Sequence, residues 1–416
     1  MSQQRKRVVV IGSGGREAAL AWALSREADV IVTPGRAGIP GSVNTLPEEL
    51  EADLFVVGPE TPLVDGLADR LRAQGKLVLG PGARGAQLEG SKAYMKDVLY
   101  CANVPTADYG VYSDIGLATG FIDSRPWDCS VVKTSGLAAG KGVTVTASRQ
   151  EAIEDARAKL SGEAFGDAGR TVVIERGHIG PELSVIALLD GTEGGIQLFP
   201  SSRDYKRLLD GDKGPMTGGM GAYAPVADRP KQRYLHELFV RIVHELRRRN
   251  IDYRGFMYLG MMLTDTGPIV LEINVRHGDP EAEVVLPLTK PGLLKCFMQA
   301  AAGQLTGQME FTYGAAVTVA LAAAGYPDSA KVAEQKGKLI HGLNKAADQA
   351  ETLGATIFHA GTKHSADGWY EVDGGRVIYV TGTGQTVEQA RSNAYQVISL
   401  IAWSGIQYRG DIAAIG

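Results

Sequence analysis

The chain has 416 residues, 44% of them apolar and 22% charged, with a formal net charge of −4. These are the values of an ordinary globular protein of several domains, and they give no bulk positive charge to draw in nucleic acid. No run approaches the ~20 apolar residues that a membrane span needs. Three distant cysteines, Cys101, Cys129 and Cys296, make neither a disulfide framework nor a paired-cysteine zinc site, which points to a reducing cytoplasm and small-molecule partners.

The basic start Arg5-Lys6-Arg7 runs directly into Val8–Ile11 with no signal-peptide apolar region. Residues 7–80 then read as strand and helix units of a parallel sheet: Val8–Ile11, a glycine turn, a helix over Arg16–Leu24 and the strand Val30-Ile31-Val32. A second unit runs from Leu54–Val57 through Gly58-Pro59-Glu60 to a helix around Leu63–Ala73 and the strand Leu77-Val78-Leu79. In such sheets ligands gather at strand C-terminal ends. A helix is expected from Ser91, carrying Lys92, Tyr94 and Lys96, with a boundary at Asn103-Val104-Pro105.

Residues 114–183 hold the strand Ser130–Lys133, a glycine loop, Val143–Val145, an acidic helix over Glu151–Leu160 and the strand Thr171–Glu175, compact enough for a lid. From 184 to about 312 come further strands, a Gly-rich run at 211–221, a helix with Leu235, Leu238, Phe239, Ile242 and Leu246, and a strand at 268–276. The last ~100 residues, a domain-sized stretch, alternate helix and strand and end in an amphipathic segment, Val387–Trp403. The expected division is 1–103, 104–113 with 184–312, 114–183, and 313–416: a multidomain protein of α/β and α+β class.

The turn Gly12-Ser13-Gly14-Gly15-Arg16-Glu17 follows a strand and opens a helix, where backbone N–H groups and the helix dipole can hold a phosphate and Arg16 can pair with it. It is a poor dinucleotide signature. Glu17 stands at the third glycine position, and no carboxylate follows the second strand to take a ribose hydroxyl, which disfavours a dehydrogenase. Lys133, at a strand end, and Lys141, in the loop Gly136–Gly142, can reach the phosphates of one nucleotide, at a spacing that is not a Walker A loop.

In Ile269–Arg276 the two-residue period puts Leu271, Ile273 and Val275 on one face and Glu272, Asn274 and Arg276 on the other. Glu272 and Asn274 are oxygen ligands of the type Mg²⁺ takes when ATP phosphates complete its octahedron, with Mn²⁺ able to replace it, and Arg276 can steady a transferred phosphoryl group or a carboxylate. Asp279 and Glu281, in Gly278-Asp279-Pro280-Glu281, are either site carboxylates or helix caps. The Gly-rich run after Asp204-Tyr205-Lys206-Arg207 is either a loop that closes over a reactive intermediate or an exposed turn. The seven histidines show no common zinc spacing.

Together these stretches resemble the phosphoribosylamine–glycine ligases of purine biosynthesis, over nearly the whole chain. The resemblance rests on Gly12–Glu17, Val57–Glu60, Gln87–Lys92, Gly136–Gly142, Thr217–Tyr223, Gly278–Glu281 and Phe358–Lys363. It implies an ATP-grasp fold with an N-terminal Rossmann-like domain and a C-terminal α/β domain. It also implies ATP-dependent joining of glycine to phosphoribosylamine through a glycyl phosphate, by a monomer or small homo-oligomer. Carried over, Lys92, Lys133, Lys141, Glu175 and Glu182 would serve ATP, and Glu272 and Asn274 would hold the metal. Gly12, Gly14, Gly15, Arg16, Glu60, Asp204, Lys206, Gly278 and Asp279 would serve the substrates, with Arg276, Lys141 and Lys206 acting in catalysis.

The sequence departs from that family's pattern at Ala18, Ser135, Arg203, Tyr205, Met216, His277 (for Phe) and Glu283. These departures keep open a related ligase for another amino acid or amine. A non-catalytic nucleotide binder is opposed by Lys133, Lys141, Glu272 and Asn274 occurring together.

Overall fold

The computed structural model describes residues 5–138 and 142–414. The N-terminal sheet is parallel, with strand order Ala28–Pro34, Lys6–Gly12, Leu54–Val57, Val78–Leu79. The chain steps to one side of Lys6–Gly12 and then to the other, so a crevice opens beyond the C-terminal ends of the two central strands. The glycine turn and Gly58–Glu60 lie at that crevice. The expected helix over 63–73 is two helices, Glu60–Val64 and Leu67–Ala73. They part at Gly66, whose φ of +78° is left-handed and costs glycine little.

A second sheet is antiparallel: Ile196–Leu198, Glu182–Asp190, Arg254–Thr264, Gly267–Asn274. The last strand ends two residues short of the expected Arg276. The Val275 N–H leaves the ladder and donates to Glu89 Oε2 at 2.8 Å. A third sheet, Tyr109–Tyr112, Val172–Arg176, Ser130–Thr134, Val143–Thr146, packs helices Ile115–Ser124 and Arg149–Leu160 around its own small apolar core. A five-stranded sheet joins Arg203–Asp204 and Gly221–Ala224 to Ala315–Ala322, Arg376–Gly384 and Ala355–His359. Its backbone hydrogen bonds therefore cross residue 312.

Strands buried on both faces read as unbroken apolar runs, and here alternation divides them between two shared cores. Val8 and Val10 join Leu54 and Val56 in one core with Ile186, Leu188 and Phe256; Val9 and Ile11 join Phe55 and Val57 in another with Leu183, Val185 and Leu189. The second core is closed by the helix Gln232–Arg248 through Leu235, Leu238, Phe239, Ile242 and Leu246. The N-terminal and second sheets thus share their interiors and form one rigid platform. The Ala315–Ala322 strand repeats the device, turning Ala316 and Ala320 to the first core and Val317, Val319 and Leu321 to a C-terminal one. Among the described residues no helix is long and apolar enough to cross a membrane.

Leu188 is fully buried in the shared core. Leu188→Ala is expected to lower stability by about 2–5 kcal/mol in urea denaturation. A loss below about 1 kcal/mol would contradict a close-packed interior common to the two sheets.

Candidate functional site

A cleft of about 640 Å³ opens where the N-terminal sheet, the second sheet, the lid-like third sheet and the C-terminal strands meet. Glu272, Asn274 and Arg276 all line it, the first two from the end of their strand and Arg276 from just beyond it. Gly260 stands opposite Glu272 in the ladder, and a Cβ there would lie 2.8 Å from Glu272 Cγ. A glycine in this position leaves room for the acidic side chain.

Arg276 ties the cleft together. Its guanidinium donates to Glu60 Oε2 at 3.1 Å, Glu89 Oε1 at 2.6 Å, Asn274 Oδ1 at 3.4 Å and its neighbouring carbonyl, His277 O, at 3.2 Å. Burial would disfavour the cation, but Glu89, Glu60 and Glu272 outweigh it and hold Arg276 charged. In the opposite sense, burial would raise the Glu272 carboxyl, but Lys206, Lys133, Lys92 and Arg276 keep it below its ordinary value. An ionised carboxylate and an amide oxygen therefore face the same space, a donor set suited to a hard divalent cation that keeps phosphates and water as its other ligands. No cluster of three or more His, Cys, Asp or Glu side chains suited to a metal occurs among the described residues.

The expected nucleotide residues divide into two groups. Lys92 begins the helix Lys92–Cys101, capped by Ser91 through the Tyr94 N–H at 3.2 Å, and lines the cleft. Burial lowers its pKa, against the pull of Glu272. Lys133 and Glu175 sit diagonally on one face of the lid sheet, their side chains 3.0 Å apart, and Lys133 also reaches Leu271 O at 3.2 Å in the second sheet. Glu175 is 1% exposed and faces Lys96 at 3.1 Å as well, so it anchors two buried lysines and is not part of the cleft wall. Lys96, without an expected role, is fully buried; its pKa is lowered to about 8 by burial, against Glu175. Glu182 does not line the cleft but accepts from Lys206, which does, at 2.5 Å. Lys141 lies outside the described residues.

Of the expected substrate residues, Arg16, Glu60, Asp204, Lys206, Gly278 and Asp279 line the cleft. Lys206 is held by Asp204 at 2.8 Å, and despite burial this carboxylate and its acidic neighbours raise its pKa well above the ordinary value. Gly12, Gly14 and Gly15 do not line the cleft. The Gly14 N–H is already taken by Glu17 Oε2 at 2.7 Å, and Glu17 Oε1 accepts from Arg16 Nε at 2.7 Å. Gly12, at φ +135°, and Gly58 make room for that carboxylate: a Cβ would lie 2.5 Å from it on Gly12 and 2.2 Å from it on Gly58. Gly15 is packed against Glu283 and Tyr379. These glycines admit a side chain and a close packing contact within the turn.

The Gly-rich run is a hairpin, Arg207–Leu209 with Lys213–Met216, whose return arm is pinned to the C-terminal part. The Gly218 N–H donates to Tyr326 Oη at 3.0 Å, and Arg376 donates to Gly218 O at 2.5 Å and to Asp279 O at 2.9 Å. Arg409, 1% exposed, holds Asp212 at 2.7 Å. Asp279 accepts from Tyr379 and pairs with Arg376 at 3.1 Å; it is a brace, not a helix cap. Tyr258, Glu89, Tyr326 and Arg376 also line the cleft and carry no sequence signal that separates them from ordinary strand, helix or loop residues.

Of the seven departures, only Met216 lines the cleft. Ala18 is core, Ser135 ties the Ala93 N–H at 3.1 Å, Arg203 donates to Glu182 O at 2.9 Å, and Tyr205 accepts from the Ala413 N–H at 3.0 Å. His277 and Glu283 are fully buried, and their side-chain polar atoms lack partners among the described residues. Burial, with Arg16 and Arg276 nearby, lowers the His277 pKa to about 3.

The chain matches the phosphoribosylglycinamide synthetase N domain over residues 6–89, the ATP-grasp (A) domain of the same synthetase over 90–282 and its C domain over 316–415. It is 41% identical to a Nostoc phosphoribosylamine–glycine ligase over 431 residues, covering 98% of each chain. It is also 40% identical to a chicken trifunctional purine biosynthetic protein, of which it spans 42%. The crystal structure of the phosphoribosylamine–glycine ligase of Thermotoga maritima superposes with a TM-score of 0.85 at 35% identity, covering 98% of this chain and all of that one. A biotin carboxylase domain from Hydrogenobacter thermophilus, solved with MgADP, shares the fold with a TM-score of 0.70 at 16% identity over 97% of this chain and 92% of that one.

His277 packs between the Phe256 and Phe199 rings, with centroids at 4.3 and 4.8 Å. The unfolded chain takes up the His277 proton near its ordinary 6.5 and the folded one only near 3, so stability present above pH 6.5 is lost as pH falls toward 3. His277→Phe is expected to shift the acid-unfolding midpoint to lower pH and to add about 1–3 kcal/mol by removing unpaired buried nitrogens. An unchanged midpoint in circular dichroism would contradict the buried neutral imidazole.

Proposed function

The chain belongs to the phosphoribosylglycinamide synthetase family, and from that premise we propose how its cleft divides the work. It is an ATP-grasp carbon–nitrogen ligase that joins glycine to phosphoribosylamine in purine biosynthesis. The glycine carboxylate takes the γ-phosphoryl group of ATP to give glycyl phosphate and ADP. The phosphoribosylamine nitrogen then displaces phosphate.

The observation that carries the assignment of roles is the convergence of Glu272, Asn274, Arg276, Lys92 and Lys206 on one cleft. Phosphoryl transfer is mostly positioning and charge stabilisation, so a site needs cations on the phosphates and a metal shell more than it needs a nucleophile. Lys92, Lys133 and Lys141 bind the nucleotide phosphates, with Glu175 fixing Lys133, and Glu182 lies at the nucleotide edge. Glu272 and Asn274 would hold magnesium, with manganese able to replace it, and this ion would neutralise phosphate charge. Arg276, kept cationic by its three glutamates, stabilises the transferred phosphoryl group. Arg16, Glu60, Asp204, Lys206, Gly278 and Asp279 bound the space for glycine and phosphoribosylamine. Residues 114–183 act as the lid over the nucleotide. The setting is a cytoplasmic enzyme that works as a monomer or small homo-oligomer.

The test is steady-state ADP release with Mg-ATP, glycine and freshly generated phosphoribosylamine, each omitted in turn; sustained turnover without glycine, or with no amine acceptor present, would overturn the reading. Glu272→Ala is expected to lower kcat about 10²–10³-fold with the fold intact. Near-normal ADP production by that variant would remove Glu272 from the metal shell.

A further inference from the structure

Six carboxylates line the cleft: Glu60, Glu89, Asp204, Glu272, Asp279 and Glu281. Four are held by cations among the described residues. Glu60 and Glu89 pair with Arg276, Asp204 with Lys206 and Asp279 with Arg376. Each of these four is already engaged by a cation, with which an incoming proton would have to compete. Glu272 is committed to the metal. Glu281 remains.

Glu281 has no Lys or Arg partner among the described residues. It heads the short helix Glu281–Val285 but does not cap it; the side chain folds back over Gly278, where a Cβ would lie 2.0 Å from Oε2. Only a glycine at 278 lets this carboxylate lie in the cleft wall. Oε1 accepts from Ser184 Oγ at 2.9 Å, and that hydroxyl meets Tyr258 Oη at 3.0 Å. The carboxylate is 4% exposed. Asp204, Lys206 and Arg276 face it from the neighbouring segments, and Tyr258 from the second sheet. Burial, reinforced by Asp204 and opposed by Lys206 and Ser184, pushes its pKa up to about 7, close to the working pH that suits a general base.

We propose that Glu281 is the general base that takes the proton from the attacking phosphoribosylamine nitrogen in the second half of the reaction. The inference rests on the ligase reading above. In that half-reaction the neutral amine forms a bond to the carbonyl carbon of glycyl phosphate. The carbon–oxygen bond to phosphate breaks, and the departing phosphate keeps its electron pair. The nitrogen enters with two hydrogens and leaves as an amide with one. The ionised Glu281 carboxylate accepts that proton, becomes a neutral acid stabilised by its buried site, and returns the proton to solvent once the products leave. Glycine activation needs no such base, because its carboxylate attacks ATP already ionised.

The two half-reactions separate experimentally. Glycyl phosphate is trapped by hydroxylamine as glycine hydroxamate, which reports activation without the enzyme's own base. Glu281→Gln keeps an oxygen for Ser184. It is expected to form hydroxamate within about threefold of the wild-type rate, while kcat with phosphoribosylamine falls about 10²–10⁴-fold. The wild-type kcat should rise with pH through about 7, as a base that must be ionised requires, and that limb should vanish in the variant.

Ser184→Ala removes the donor that favours the ionised form, and should move the limb to higher pH with hydroxamate formation preserved. Near-normal ligation by Glu281→Gln, or an unmoved limb in Ser184→Ala, would overturn the proposal. Loss of hydroxamate together with ligation in Glu281→Gln would do the same. Absence of glycine hydroxamate from the wild-type protein would overturn the ligase reading, and this proposal with it.

Discussion

The cleft depends on one buried cation. Arg276 lies just beyond the strand Gly267–Asn274, and its partners come from the turn after the third strand of the N-terminal sheet (Glu60), from the helix Ala83–Gly90 (Glu89) and from its own strand (Asn274). A guanidinium out of water is tolerable only when its N–H groups are answered. Satisfying it therefore fixes the N-terminal sheet against the second sheet at the point where they form the cleft. The two shared apolar cores supply the bulk of the attraction between these sheets. Apolar packing does not dictate angular placement to the accuracy that phosphoryl transfer needs; a planar fork with fixed acceptors does.

Around that anchor, glycines act by subtraction. Gly12 and Gly58 leave space for the Glu17 carboxylate, Gly260 for Glu272 and Gly278 for Glu281. In each case the missing Cβ lets an acidic group lie against backbone at a distance no other residue permits. Thus the glycine turn at the N-terminus makes room for its own glutamate, which in turn holds Arg16. The same device at Gly278 brings Glu281 into the cleft wall and away from the helix end that follows it.

The C-terminal part contributes a wall. Arg376 and Tyr326 hold the backbone of Gly218 and Gly219, and Arg409 holds the hairpin through Asp212. Hydrogen bonds of this number to backbone oppose local opening. This side of the cleft is therefore a braced surface, while the third sheet, with a core of its own, is tied to the rest through Lys133 to Leu271 O, Glu175 to Lys96 and Ser135 to the Ala93 N–H.

The sequence by itself determined that Glu272 and Asn274 share a face, because a two-residue period leaves an ordered strand no other way to turn them, whereas Arg276 lies beyond the strand's end. It also determined the parallel start of the chain and the Ser91-capped helix bearing Lys92, since apolar runs, glycine turns and a capping serine are local signals. Tertiary structure alone decided which charges meet. That Glu175 is spent on Lys133 and Lys96, that Asp279 braces Arg376 and that Glu281 is left without a cation among the described residues all follow from pairings between segments dozens of residues apart. A side chain's charge is written in the sequence; its desolvation and its partner, which set its proton affinity and its role, exist only once the chain has folded.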